Sequence, residues 1–241
     1  MARPVVGIIG GSGLRDTSIL AADEARPIDT PYGPPSEVPR VGRHGGLTVV
    51  FIARHGKDHR IPPHRLNHRA NLWAMKELGV TRILATSSTG SLKKPIHPGT
   101  FVVPHDFVAF WNIPTFFDDR VAHATPSLDD ELREVLATAA KRSGVTARSR
   151  GVYVQTTGPR LETQAEIAYF KTLGDVLGMT MASEATLASE LEIPYASLCS
   201  VDNYCHGLVD RPLTYLQIVK MQQKNAEAVR SIMGHALELV G

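Results

Sequence analysis

Several short stretches of this chain concentrate groups suited to holding an anion. Gly10-Gly11-Ser12-Gly13 ends an apolar run. Glycines there let consecutive backbone N–H groups converge on an anion, and Ser12 adds a hydroxyl. The stretch is neither G-x-G-x-x-G nor a Walker loop, because no Gly-Lys-Ser/Thr follows. Arg54 and His55 emerge after a second apolar run, placed to clamp an oxyanion. Thr86-Ser87-Ser88-Thr89-Gly90-Ser91 supplies five small hydroxyls and a glycine after a third run. Thr180 stands before a helical stretch, where its hydroxyl either caps the helix or turns toward an anion. Together these point to a phosphate site. No acidic magnesium motif accompanies them, which favours inorganic phosphate over a nucleoside triphosphate. A different mixture occurs in SVDNYCHG, Ser200–Gly207, where an acid, an amide, a phenol, a thiol and an imidazole occupy Asp202 to His206.

Other chemistries are disfavoured. His55/His59 and His64/His68 are each four apart, a spacing that suits two metal ligands on a helix. Gly56 and Pro62-Pro63 argue against a helix before His64, and no carboxylates join the histidines, so neither a metal nor any other cofactor is expected. The two cysteines, Cys199 and Cys205, are six apart; a disulfide would close a very short loop, so both are expected reduced, as in cytoplasm. With 26 basic against 24 acidic residues the net charge is only +2, too balanced to indicate a nucleic-acid or membrane partner. The N-terminal stretch lacks a signal-peptide pattern, and no apolar run reaches the roughly 18 residues a membrane span needs.

These groups need elements to position them. Val5–Ile9, Leu47–Ile52, Arg82–Thr86, Phe101–Val103, Gly151–Gln155, Asp175–Met179 and Pro194–Ser200 read as strands. Leu66–Leu78 is helical in spacing and stops at Gly79. Further helices are expected over Asp129–Lys141, Glu162–Leu173 and Glu184–Leu191. A last one starts near Pro212 and ends about Leu239. The alternation predicts an α/β fold, a single three-layer αβα domain over 1–241 with a central mixed sheet and helices on both faces. In such sheets ligands sit beyond the carboxyl ends of strands, where the hydroxyl-rich stretches lie.

In order along the chain, GIIGGSGL (7–14), ARHGKDH (53–59), TSSTGSL (86–92), GVYVQTTGPRLETQAEI (151–167), LGMTMASEATLASE (177–190) and VDNY (201–204) resemble the trimeric purine nucleoside phosphorylases. The resemblance is closer to their methylthioadenosine/methylthioinosine phosphorylase branch and covers essentially the whole chain. It implies phosphorolysis of a purine nucleoside to free purine and ribose-1-phosphate or a 5-modified analogue, without a cofactor, in a homo-oligomer, trimeric or hexameric. By motif, it implies phosphate contacts from Ser12, Arg54, His55, Ser87, Ser88 and Thr180. The family often has Ala where Ser88 stands, so Ser88 would act mainly through its backbone N–H. It implies base recognition by Glu162 and Asn203, ribose packing on Met179, a 5′ pocket lined by Tyr215 and Ile218, and His123 lent to a neighbouring subunit. Arg54, His55 and Asn203 would carry the chemistry. Asp202 is a further candidate if it turns inward to protonate N7, although strand alternation aims it outward.

An ionised Glu162 accepts from the N1–H of a 6-oxopurine but faces a lone pair on adenine, and one unmet buried bond costs about 1–3 kcal/mol. The adenine-specific branch usually has Ser and Asp at the two base-reading positions, so Glu162 and Asn203 point to a 6-oxopurine nucleoside. That leaves 5′-methylthioinosine or inosine/guanosine; His206, if it reaches the 5′ pocket, favours a 5′-hydroxyl. The alternatives are a 5′-methylthioadenosine phosphorylase, a hydrolase using water, and a non-catalytic nucleotide-binding module built on the basic run Arg54–Arg69.

Overall fold

A computed structural model describes residues 4–210 and 212–240. Their architecture is α/β: a mixed sheet with helices on both faces. The central strands are β1 (Val5–Gly10), β4 (Leu47–Ala53), β5 (Arg82–Ser91) and β11 (Tyr195–Tyr204). β1 pairs in parallel with β4 and β5, and β11 pairs in parallel with β5. β1, β4 and the first halves of β5 and β11 are largely apolar on both sides, as a parallel sheet covered twice requires. Val6, Ile8, Val49, Phe51, Ala196 and Leu198 face one layer, formed by α2 (Asp130–Arg142) and α5 (Tyr215–Val240). Ile9, Val50, Ile52, Tyr195, Cys199 and Val201 face the other, formed by α1 (His68–Glu77) and α4 (Met181–Glu190).

Two strands run further than their apolar residues suggest. β5 continues through the hydroxyl stretch to Ser91, so Ser87–Ser91 is strand and does not lie beyond the strand's end as expected. β11 continues through Asp202 and Asn203 to Tyr204. They extend because they pair with each other in register from Tyr195↔Ile83 to Tyr204↔Ser91, with one bulge between Val201 and Asn203. Each ladder bond satisfies backbone groups whatever the side chains are.

β1 covers the other edge of β5 only as far as Ala85, and β10 (Val176–Gly178) takes it up, antiparallel, at Gly90 and Ser91. The opening between them holds the site. β10 continues the sheet to β9 (Val152–Gln155) and β7 (Asp106–Ala109). The short strand β6 (Phe101–Val102) bridges β11 to β8 (Ala147–Arg148). β2 (Ala21–Ala25) and β3 (Arg40–His44) form a polar antiparallel margin beyond β4.

α3 (Gln164–Phe170) starts later than expected. Its cap is Thr163, in a reciprocal bond pair with Glu166, so Glu162 lies in the preceding loop.

Candidate active site

Arg54 anchors the site. It follows β4, its side chain is 1% exposed, and it lies across the gap in the β5 edge. Nη1 donates to the Thr86 carbonyl at 2.7 Å. Nε and Nη2 donate to the two Glu184 carboxylate oxygens at 2.5 and 2.8 Å. Three of the five guanidinium N–H bonds are thus taken, and two remain for a ligand. Glu184 also accepts from the Tyr195 hydroxyl at 2.8 Å. Gly11 is what lets this arrangement close: a Cβ there would stand 2.5 Å from the Thr86 carbonyl oxygen and 2.6 Å from Arg54 Nη1. Its N–H donates to Thr86 Oγ1 at 2.8 Å.

Around Arg54 lies a cavity of about 560 Å³. Ser12, His55, Ser88 and Thr180 are among the residues that line it. His55 Nδ1 lies 2.8 Å from the Ile61 carbonyl. A carbonyl only accepts, so Nδ1 bears the proton and Nε2 of the neutral ring is an acceptor. Burial, and then the Arg54 charge, press the His55 pKa down to about 4, which keeps the ring neutral. Thr180 begins α4 without capping it. The first amides of that helix are met by distant side chains: Tyr153 Oη accepts from Thr180 and Met181, and Gln155 Oε1 from Ala182 and Ser183. The Thr180 hydroxyl is therefore spared for the cavity.

The same cavity is lined by Glu162, Met179, Asn203 and Cys205, and by Tyr215 and Ile218 from α5. Glu162 is 7% exposed, and its Oε1 accepts from Thr156 at 2.7 Å. Burial pushes its carboxyl pKa up, and the Thr156 bond opposes that only partly. Asn203 Nδ2 donates to the Tyr204 carbonyl at 2.9 Å and keeps a second hydrogen. Gly90 makes room here: a Cβ would meet Cys205 Sγ at 2.7 Å and Asn203 Nδ2 at 3.0 Å. Cys199 and Cys205 are both free and buried. Burial raises their thiol pKa values, that of Cys199 to about 12, so neither is a thiolate at neutral pH.

Ten residues expected at the site thus line one cavity: Ser12, Arg54, His55, Ser88, Glu162, Met179, Thr180, Asn203, Tyr215 and Ile218. Three do not. Ser87 lies on the opposite face of β5 from Ser88, its hydroxyl 3.4 Å from that of Ser197. Asp202 is the extra residue at the bulge between Val201 and Asn203, so strand alternation does not set its direction, and it is not at the surface as expected. Its carboxylate accepts from Asn225 of α5, and Asp202 is 2% exposed. His123 is exposed and outside this chain's cavity. His206 also borders the cavity, with Nδ1 3.4 Å from the Glu162 carbonyl oxygen. Glu184 is the residue that the sequence reading missed. A lone acid among the small and apolar residues of TMASEATLAS was its available signal. Among the described residues no cluster of His, Cys, Asp or Glu could hold a metal ion, and no helix is long and apolar enough to cross a membrane.

Residues 5–238 match the model of the phosphorylase superfamily. A 6-oxopurine nucleoside phosphorylase of Pyrococcus furiosus is 42% identical over 98% of this chain and 93% of its own length. A probable S-methyl-5′-thioinosine phosphorylase of Methanopyrus kandleri is 44% identical over 98% of this chain and 90% of its own. Among solved structures, the methylthioadenosine phosphorylase of Schistosoma mansoni in complex with adenine superposes with a TM-score of 0.92. It is 30% identical, over 99% of this chain and 92% of its own.

Proposed function

The chain belongs to the phosphorylase superfamily, and from that premise we propose that it is a 6-oxopurine nucleoside phosphorylase. Its nucleoside is 5′-methylthioinosine or inosine/guanosine, and inorganic phosphate is the co-substrate. The products are the free purine and (5-methylthio)ribose-1-phosphate. The observation that carries the reading is that buried Glu162 lines the same cavity as Asn203 and Arg54. The high identity to relatives named for 6-oxopurine nucleosides and methylthioinosine supports it.

Phosphate rests on the two free Arg54 N–H bonds, the Ser12 and Thr180 hydroxyls and the β5 backbone at Ser88. His55 Nε2, an acceptor, takes the single O–H of monohydrogen phosphate. A phosphate oxygen bonds to C1′ as the C1′–N9 bond breaks, and the electron pair leaves with the purine. The anion beneath the sugar stabilises the cationic ribosyl centre. The remaining Asn203 N–H stabilises charge building on the base, while ionised Glu162 accepts from N1–H. Met179 packs under the ribose, and Tyr215 and Ile218 receive the 5′ group. In this reading no metal or organic cofactor takes part, and the enzyme works in the cytoplasm.

The active form is a homo-oligomer, a trimer or hexamer, in which His123 completes a neighbour's pocket. An exposed apolar strip supports this: Phe110, Trp111, Ile113 and Val121 lie two to thirteen positions before His123. Such a strip marks an interaction surface.

The test is incubation with methylthioinosine, inosine, methylthioadenosine and adenosine, each with and without phosphate. Hypoxanthine release that requires phosphate is expected. Faster release of adenine would establish the methylthioadenosine activity instead, the reading favoured by the Schistosoma likeness. Release without phosphate would make the protein a hydrolase.

A further inference from the structure

Asp202 is the extra residue of the β11 bulge, and its carboxylate is buried with three donors. Oδ2 accepts from Ser88 Oγ at 2.5 Å and Ser200 Oγ at 3.2 Å, and Oδ1 accepts from Asn225 Nδ2 at 2.8 Å. Ser88 Oγ in turn accepts from Gln222 Nε2 at 2.9 Å. Ser88 and Gln222 border the cavity; Asp202 does not. A serine has one O–H, and here Asp202 takes it. The Ser88 hydroxyl therefore faces the cavity wall with no hydrogen to offer an anion.

We propose that Asp202 is a positioning residue acting through Ser88: ionised, it withholds the Ser88 hydroxyl from phosphate, and on taking a proton from water it releases that hydroxyl to donate to the bound anion. The proposal rests on the phosphate site proposed above and adds a control on its affinity.

The surroundings suit an exchange of this kind. Burial raises the Asp202 pKa to about 6 against the pull of the three hydrogen bonds, so the carboxyl changes state within an ordinary assay range. The groups facing it are neutral on every packed element: Ser88 from β5, Ser200 and the Cys199 thiol from β11, Asn225 from α5. His97 and Asp210 stand across a second hollow that Asp202 also borders. A phosphate dianion adds negative charge next to Ser88 and so favours the protonated acid further.

Asp202→Asn tests the idea, because its amide keeps the shape and donates to Ser88 as the protonated acid would. At pH 8 this variant is expected to lower the phosphate KM about tenfold, the worth of one hydrogen bond to a charged group. The gap should close as pH falls toward 5, where the wild-type carboxyl takes up its own proton. In a Ser88→Ala background, Asp202→Asn should bring no such gain. The phosphate-induced rise in melting temperature, measured on the same four proteins, reports the effect without turnover and shows that each folds. An unchanged or higher phosphate KM in Asp202→Asn at pH 8 would overturn the proposal, as would a gain that persists without the Ser88 hydroxyl. Wild-type base release that ignores phosphate would instead defeat the phosphorolytic reading, and the melting comparison would still decide the role of Asp202.

Discussion

If Glu162 reads the purine as proposed, it does so through its own protonation state. Ionised, it accepts from the N1–H of an oxopurine; protonated, it donates to the N1 lone pair of adenine. Its pKa lies above the ordinary carboxylate value because burial outweighs the Thr156 bond. A raised pKa means that the protonated form accumulates as pH falls. The ratio of kcat/KM for methylthioadenosine to that for methylthioinosine should therefore climb between pH 8 and pH 5. Glu162→Gln, whose amide both donates and accepts, should flatten that climb and narrow the discrimination by about tenfold or more. A wild-type ratio that does not move with pH would contradict the assignment. Glu184 acts one step away. Its bidentate hold on Arg54 and its bond from Tyr195 are fully buried. Removing one charge of a buried pair costs about 3–5 kcal/mol. Glu184→Gln should lower the melting temperature and, with Arg54 loosened, raise the phosphate KM far more than the nucleoside KM. Steady-state titration of each substrate separates the two effects.

The site exists because β5 outruns β1, leaving a stretch of edge that Arg54 and Gly11 close together. Gly11→Ala places a methyl carbon against both the Thr86 carbonyl and Arg54 Nη1. The guanidinium must then shift, and kcat/KM for phosphate should fall about a hundredfold, the scale on which small misplacements act; phosphate titration at saturating nucleoside measures it. Much of this element layout was legible in the sequence. Strands buried on both faces show as apolar runs, so Val5–Ile9 and Leu47–Ile52 were found almost to their ends. Polarity misled where backbone pairing decides. Ser87–Ser91 looks like a loop and is strand, because β11 satisfies its ladder bonds and its hydroxyls find partners such as Ser197 and the Ser200 carbonyl. The strands β2 and β3, AADEA and RVGRH, form a largely exposed margin and carry no apolar alternation to betray them. α4 starts three residues before Glu184 because its first amides are met by Tyr153 and Gln155, far away in sequence. The ten cavity residues were found as motif members, whereas the turning away of Ser87 and the burial of Asp202 depend on what packs on each sheet face. No local pattern carries that.

At the scale of the molecule, this chain's own cavity is lined by Arg54, Glu162 and Asn203 but not by His123, which stands exposed just after an apolar strip. Trp111 of that strip also borders a hollow of about 450 Å³ together with Pro63–Arg69, and this hollow shares Pro63 and Met179 with the cavity. A second copy docking along the strip would lie next to this cavity. If each pocket borrows His123 from its neighbour, two defects on different chains can compensate. Arg54→Ala removes the anion clamp of its own pocket, and His123→Ala spoils only the pocket next door. Each variant alone should be strongly impaired. Refolded together in equal amounts, they should regain activity, because a pocket that takes Arg54 from one chain and His123 from the other is intact. Random closed-ring assembly makes roughly a quarter of the pockets intact in that way. The recovered pockets should show the wild-type nucleoside KM, since they contain every wild-type group. Mixing that yields only the average of the two variants would mean that each chain works with its own residues alone.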